Sequence, residues 1–220
     1  MSKADALAAA LTKSIGAADN NEKAITWLNT GYEPLNMALS GKYDGGLPGG
    51  RIVEMFGPSS SGKTAIATNV MAHAQKAGGI AGFNDHERSF HAHLARGLGL
   101  DTDASSFVYR RPKSFEESVT LAIKAAQTVR QGKFIAEDAP IVWVFDSLAG
   151  MVPKSKLDKD VDEYNMNDTT ALARATSGIF PALAQWSEEL NMLCLFLNQI
   201  RTKPGVAYGD GLRESDLQAH

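Results

Sequence analysis

Apolar residues along the chain form short, nearly unbroken runs that alternate with longer segments of helical spacing. The short runs cover residues 51–57, 79–85, 140–147 and 191–200. An unbroken apolar run of this length is typical of a strand that is buried on both faces. The pattern therefore predicts a mainly parallel sheet.

The intervening segments have the periodicity of helices and cover residues 64–76, 114–132 and 169–190. Ser114 precedes the second segment and is its predicted N-cap. Pro181 lies inside the third segment, where it is expected to interrupt the helix. Alternation of buried strands with helices predicts an α/β fold with a mainly parallel sheet flanked by helices.

The first residues differ from this core. Residues 3–17 are rich in alanine and leucine at helical spacing and are followed by a polar tether. A short amphipathic helix cannot bury its apolar stripe alone, so we expect it to dock on its own core or on a neighbouring subunit. We divide the chain into an N-terminal helix with its tether, 1–24, and a core, 25–220.

Composition narrows the class of protein. A chain of 220 residues is long enough for one sizeable domain, and its net charge of −3 argues against a surface that is basic throughout, although a local basic loop remains possible. Cys194 is the single cysteine and lies in an apolar run, so we expect a buried thiol and a reducing, cytoplasmic environment. No apolar run approaches the ~20 residues that span a bilayer, so no membrane partner is expected.

Residues 57–64 match the pattern G-x-x-x-x-G-K-[ST] in full, between a predicted strand and a predicted helix. In such a loop, backbone amides and the helix N-terminus bind phosphate oxygens. Lys63 is expected to reach the β- and γ-phosphates of ATP, and the Thr64 hydroxyl to bind Mg²⁺. The predicted nucleotide-binding residues are Gly57, Pro58, Ser59, Ser60, Ser61, Gly62, Lys63, Thr64 and Ala65.

A nucleotide triphosphatase also needs an acid at the end of a buried strand for its magnesium ion. Asp146 lies at the C-terminal edge of the apolar run 140–147, just before Ser147, and is the predicted metal ligand together with Thr64. A lone acid at this position can also be a helix cap, but the phosphate-binding pattern favours the metal role.

The stretch FNDHERSFHAH, residues 83–93, is close to the zinc-protease pattern H-E-x-x-H. His86 and His91 are five residues apart, and His91 and His93 two apart, so neither pair shares a helix face as an i, i+4 pair does. We therefore disfavour zinc and expect His86 and His93 to lie on a solvated loop.

Glu87 is the candidate for catalysis in this stretch. The strand 79–85 is expected to end beside the strand 51–57, which would turn residues just past its end toward the γ-phosphate. A carboxylate there can orient the attacking water and accept its proton.

Four segments resemble the RecA recombinase family of bacteria and phages over about residues 25–210. They are TGYEPLNMALSGKYDGGLPGGRIVEMFGPSSSGKT, FNDHERSFHAHLARGLGLD, VWVFDSLAGMVPKS and LCLFLNQIRTKPGVAYGD. The resemblance implies a RecA-like P-loop NTPase core in which Glu87 is the catalytic glutamate. It also implies that Gln199 senses the γ-phosphate and passes its presence to the DNA loop that follows, although Asn198 and Gln199 could merely end a strand.

The resemblance further implies single-stranded DNA as a partner. A first DNA loop would cover residues 156–168, which are acidic here, and a second would begin after Gln199. In the second, Arg201, Lys203 and Arg213 would contact phosphates and Tyr208 could stack on a base. The N-terminal helix would dock on the neighbouring protomer of a helical filament.

We therefore expect an ATP- and Mg²⁺-dependent DNA recombinase core, a DNA-dependent ATPase of homologous recombination and DNA repair. Because the chain is expected to end inside the second DNA loop, it is interpreted as a fragment or a truncated relative. The alternative is a nucleotide-binding, non-catalytic module that modulates a full-length partner. A RecA-fold ATPase of a helicase or clock-type ring is less favoured, since NQIRTK, 198–203, indicates the recombinase loop.

Overall fold

The computed structural model describes residues 2–15, 25–157 and 171–200. Its helices are α1 (Lys3–Ile15), α2 (Glu33–Ser40), α3 (Lys63–Lys76), α4 (Ala92–Gly97), α5 (Phe115–Gln131), α6 (Lys154–Leu157) and α7 (Ala171–Glu189), with a 3₁₀ turn at Leu148–Gly150. Its strands are β1 (Trp27–Leu28), β2 (Leu47–Pro48), β3 (Ile52–Gly57), β4 (Ile80–Asp85), β5 (Phe107–Arg110), β6 (Ile141–Asp146) and β7 (Met192–Gln199). No helix within these ranges is long and apolar enough to cross a membrane.

Five strands form one parallel sheet in the order β3-β7-β6-β4-β5, and β1 and β2 form a small antiparallel pair. The predicted α/β class with a parallel sheet is confirmed. The expected adjacency of β4 to β3 is wrong, because β7 and β6 lie between them. The pattern of apolar residues identifies strands but not their order. Here β6 and β7, the two most completely buried strands, lie next to each other in the interior of the sheet.

Helices on both faces of the sheet enclose two apolar clusters. Alternate residues of β6 divide between them: Val142 and Val144 pack on the α3 side, whereas Trp143 and Phe145 pack on the side of α5 and α7. Cys194 is fully buried, as expected, and burial raises the pKa of its thiol to about 12. Both faces of the sheet are thus occupied, which leaves the carboxyl ends of the strands for polar chemistry.

Two helix predictions had different outcomes. Ser114 caps α5 as expected, since its hydroxyl accepts a hydrogen bond from the Glu117 amide at 3.0 Å. The predicted interruption of α7 is wrong, because the helix continues through Pro181. Pro181 lies on the exposed face, where water can satisfy the carbonyl that proline leaves unpaired, while Phe180 and Leu183 anchor the helix to the core.

Candidate nucleotide-binding and hydrolysis site

The glycine-rich loop lies between β3 and α3, as its pattern predicts. Gly62 is the N-cap residue of α3 and has a φ of +88°, a left-handed conformation that favours glycine. Gly62 has no side chain that could cap this helix end, so the first amides of α3 are available to an anion. The loop therefore has the backbone geometry that a phosphate group requires.

Lys63 begins α3 and turns back over the loop. Its ammonium donates to the carbonyl oxygens of Gly57 at 3.0 Å and Pro58 at 2.7 Å. These contacts hold the cation at the mouth of the loop, where phosphate oxygens can replace neutral carbonyls as stronger acceptors.

Thr64 and Asp146 meet although they lie 82 positions apart. The Thr64 hydroxyl donates to Asp146 Oδ2 at 3.3 Å. Burial raises the pKa of Asp146 to about 6, with further upward shifts from the nearby carboxylates of Glu87 and Asp85. A divalent cation would favour the charged form of this buried carboxylate, and both side chains offer the oxygen ligands that Mg²⁺ prefers.

The zinc hypothesis finds no support in the described part of the chain. There, no three His, Cys, Asp or Glu side chains converge as metal ligands. The site instead fits a magnesium ion that takes most of its ligands from nucleotide and water.

Glu87 reaches this site although β4 is not adjacent to β3. Past the end of β4, the amides of His86 and Glu87 donate to the Asp146 carbonyl oxygen at 2.6 and 3.3 Å. These bonds carry the chain across the end of β6 and bring Glu87 within reach of β7. Loop geometry, rather than strand adjacency, thus positions the carboxylate.

At this edge Glu87 contacts two polar side chains. The Ser147 hydroxyl donates to Glu87 Oε1, and Gln199 Nε2 lies 3.1 Å from each carboxylate oxygen. Glu87 and Ser147 lie just past the ends of β4 and β6, and Gln199 is the last residue of β7. We call these three residues the Glu87 group. The carboxylate is solvent-exposed, so a water molecule can approach it.

Two residues at this edge of the sheet, Ser147 and Asn198, were not predicted from the sequence as parts of the site. Ser147 follows Asp146 directly, and a hydroxyl just past the end of a buried strand is the signal that could have identified it. Asn198 donates to Glu54 Oε1 at 2.9 Å and accepts from the Gln199 amide at 2.9 Å. It therefore helps to orient the end of β7.

The histidines of the stretch 83–93 differ from one another. His93 is exposed, as expected, but it lies in α4 and not on a loop. His86 is not a solvated loop residue: it is partly buried, and its Nε2 lies 3.0 Å from Ser118 Oγ. Burial lowers the pKa of His86 to about 4, against upward shifts from Asp85 and Glu117, so the ring is neutral at pH 7.

Several predicted residues lie outside the described ranges, namely Arg201, Lys203, Tyr208, Arg213 and the part of 156–168 beyond Leu157. Their DNA-binding roles stay predictions. The docking of α1 on a neighbouring protomer also stays a prediction. Leu7 on this helix is 61% exposed, so it offers apolar surface.

Comparison with known proteins identifies the family of the chain. The RecA N-terminal domain family matches residues 10–215. The chain is 38% identical to Protein RecA of Chloroherpeton thalassium over 182 residues, which cover 83% of the chain and 46% of that protein. It is 39% identical to Protein RecA of Chlorobium limicola, over 83% of the chain and 47% of that protein, and 36% identical to that of Bifidobacterium longum, over 87% and 44%. The chain spans about half the length of the curated relatives it matches.

Proposed function

The chain belongs to the RecA N-terminal domain family, and on this premise we propose that it is the ATP-hydrolysing core of a DNA recombinase. The observation that carries the proposal is the convergence of the phosphate-binding loop, Asp146 and the Glu87 group at one edge of the sheet. The substrates are Mg²⁺-ATP and single-stranded DNA, which protomers would hold as a filament during homologous recombination and repair.

Nucleotide binding follows from the loop. Amides at the start of α3 hold phosphate oxygens, while Lys63 exchanges its carbonyl partners for the β- and γ-phosphates. Thr64 and Asp146 would supply oxygen ligands to a magnesium ion, whose charge would offset the charge that develops on the phosphate oxygens during transfer.

Hydrolysis is assigned to Glu87. Its exposed carboxylate orients a water molecule for attack on the γ-phosphorus and accepts the proton that this water releases. Ser147 donates to one carboxylate oxygen and thereby limits the orientations that the side chain can adopt.

Gln199 couples the nucleotide to DNA. Its amide donates to both oxygens of Glu87, and a γ-phosphate oxygen would compete for the same N–H groups. Movement of Gln199 toward phosphate would release Glu87 for catalysis. It would also shift the residues that follow β7, where Arg201, Lys203, Tyr208 and Arg213 would contact DNA.

Filament assembly is assigned to the N-terminal helix. An isolated helix of this length is marginal in water, and the exposed Leu7 leaves apolar surface for a second protomer to cover. Such docking would place successive protomers along one DNA strand.

ATP turnover with and without single-stranded DNA tests the proposal. DNA should stimulate hydrolysis, and Glu87→Gln should lower the DNA-stimulated rate at least about a hundredfold, because a general base contributes roughly 10²–10⁴-fold. Nucleotide affinity should change little. Glu189→Gln, at the exposed end of α7 and away from the site, is the matched control.

Tight nucleotide binding without turnover would contradict the enzyme. That result would instead support the non-catalytic nucleotide-binding module.

A further inference from the structure

One buried carboxylate closes the loop that carries Glu87. Asp85, 1% exposed at the end of β4, accepts hydrogen bonds from the amides of Ser89 at 3.1 Å and Phe90 at 3.2 Å. Arg88 has a φ of +57°, so the chain reverses direction just after Glu87. The path of the chain after Glu87 therefore depends on the orientation of the Asp85 carboxylate.

Tyr109 reaches that carboxylate from the neighbouring edge strand, β5. Its hydroxyl donates to Asp85 Oδ2 at 2.8 Å and accepts from Arg111 Nε at 2.6 Å. The Arg111 guanidinium carbon also lies 5.4 Å from the centre of the tyrosine ring. Donor and acceptor sites of the hydroxyl are both used, so its orientation is fixed.

The ring and the hydroxyl of Tyr109 have separate tasks. The ring packs against Phe83 and Phe90, with centroid distances of 6.4 and 5.4 Å. Among the described residues, the hydrogen-bond partners of the hydroxyl are Asp85 and Arg111. Burial and the hydrogen bond to Asp85 raise the pKa of Tyr109, so the donor proton is retained throughout the neutral range. Removal of the hydroxyl alone is thus a clean perturbation of the carboxylate.

We propose that Tyr109 is a positioning residue for ATP hydrolysis, which acts through Asp85 on the loop that presents Glu87. Arg111 donates to the Tyr109 hydroxyl, which in turn donates to Asp85. The Asp85 carboxylate then accepts hydrogen bonds from the Ser89 and Phe90 amides. The inference rests on the proposed hydrolytic function of Glu87.

Tyr109→Phe tests the proposal because it keeps the ring. Loss of this hydrogen bond reaches Glu87 only through Asp85 and the loop, so kcat should fall by less than for a direct contact, about fivefold, while KM for ATP stays within about twofold. Amide hydrogen exchange at Ser89 and Phe90 should become about fivefold faster. Tyr43→Phe, at a tyrosine that is 64% exposed, is the matched control and should change neither quantity.

A double-mutant cycle separates positioning from general destabilisation. In an Asp85→Asn background, Tyr109→Phe should cause no further loss of kcat, since the two side chains act in series. Arg111→Gln, at an exposed position, should shift kcat and exchange in the same direction by a smaller factor, and it keeps the proposal testable should Tyr109→Phe not fold.

Unchanged exchange at Ser89 and Phe90 in Tyr109→Phe would overturn the proposal, as would a raised KM with normal kcat or fully additive losses in the cycle. Faster exchange with normal kcat would overturn the catalytic part. A wild-type chain without turnover would refute the hydrolytic function, and amide exchange alone would then decide whether Tyr109 holds the loop.

Discussion

The phosphate-binding loop and the Glu87 group lie at the same edge of the sheet, but they are built differently. The loop consists of consecutive residues, 57–64, whose geometry follows from backbone conformation and a helix N-terminus. The Glu87 group consists of side chains from three strands, joined by hydrogen bonds between residues up to 112 positions apart. A local loop tolerates changes elsewhere in the fold, whereas an assembled group depends on each contact that brings its members together. Substitutions in the loop should therefore affect nucleotide binding, and those in the group should affect turnover.

Among substitutions in the glycine-rich loop and the Glu87 group, Lys63→Ala should have the largest effect on ATP binding. Removal of the ammonium takes away charge-assisted hydrogen bonds to phosphate, each worth about 1.5–3 kcal/mol, so the Kd for ATP should rise about a hundredfold. Titration with a fluorescent ATP analogue measures this. Lys124→Ala, on the exposed face of α5, is the control. Equal affinities of the two variants would show that Lys63 does not bind the phosphates.

Ser147→Ala, a change in the Glu87 group, should have a smaller effect, and it should lower turnover and not nucleotide affinity. Without its donor the Glu87 carboxylate gains rotational freedom, and kcat should fall about tenfold, as for the loss of a hydrogen bond to a charged group. The Kd for ATP should change less than about twofold. Stopped-flow or steady-state phosphate release measures kcat, with Ser155→Ala as the control at an exposed serine. A rise in Kd with unchanged kcat would contradict the assignment of nucleotide binding to the loop and of turnover to the Glu87 group.

The pH dependence of Mg²⁺-ATP binding should be smaller still. Because the pKa of Asp146 is about 6, its carboxylate is charged at pH 7.5 and about three-quarters protonated at pH 5.5. A protonated Asp146 cannot serve as an anionic ligand, so affinity should fall about fourfold over this range. Isothermal titration at several pH values measures it. Asp146→Asn should bind more weakly at pH 7.5 and show a flat profile, and an equally steep profile in that variant would assign the titration to another group.

Asp146 also makes a prediction about stability. Its folded pKa, about 6, lies above its ordinary value of 3.8, so the folded state binds more protons between these two pH values. The free energy of unfolding contributed by this group therefore falls as pH rises from 3.8 through 6. Asp146→Asn should stabilise the fold at pH 7.5 by about 1–3 kcal/mol and by less near pH 4. Urea unfolding at both pH values measures this, and a loss of stability at pH 7.5 would contradict it.

The sequence predicted that Glu87 lies at the edge of the sheet that carries the glycine-rich loop, but by the wrong route. The prediction assumed that β4 lies beside β3, whereas Glu87 arrives through the bonds of its loop to the Asp146 carbonyl. The short strand β5, which carries Tyr109, was not predicted because its half-buried residues lack the long apolar run of a central strand. The continuity of α7 through Pro181 was missed for a related reason: packing of Phe180 and Leu183 outweighs a local helix-breaking preference.

The sequence alone predicted the features that depend on residues close to one another in the chain. The phosphate-binding loop, the Ser114 cap and the alternation of buried strands with helices all depend on contacts within a few residues, where covalent geometry leaves few alternatives. Strand order, the Glu87 group, the partial burial of His86 and the raised pKa of Asp146 were decided only by the tertiary structure. They depend on distances through space and on exclusion of water, and neither quantity is a property of any short segment.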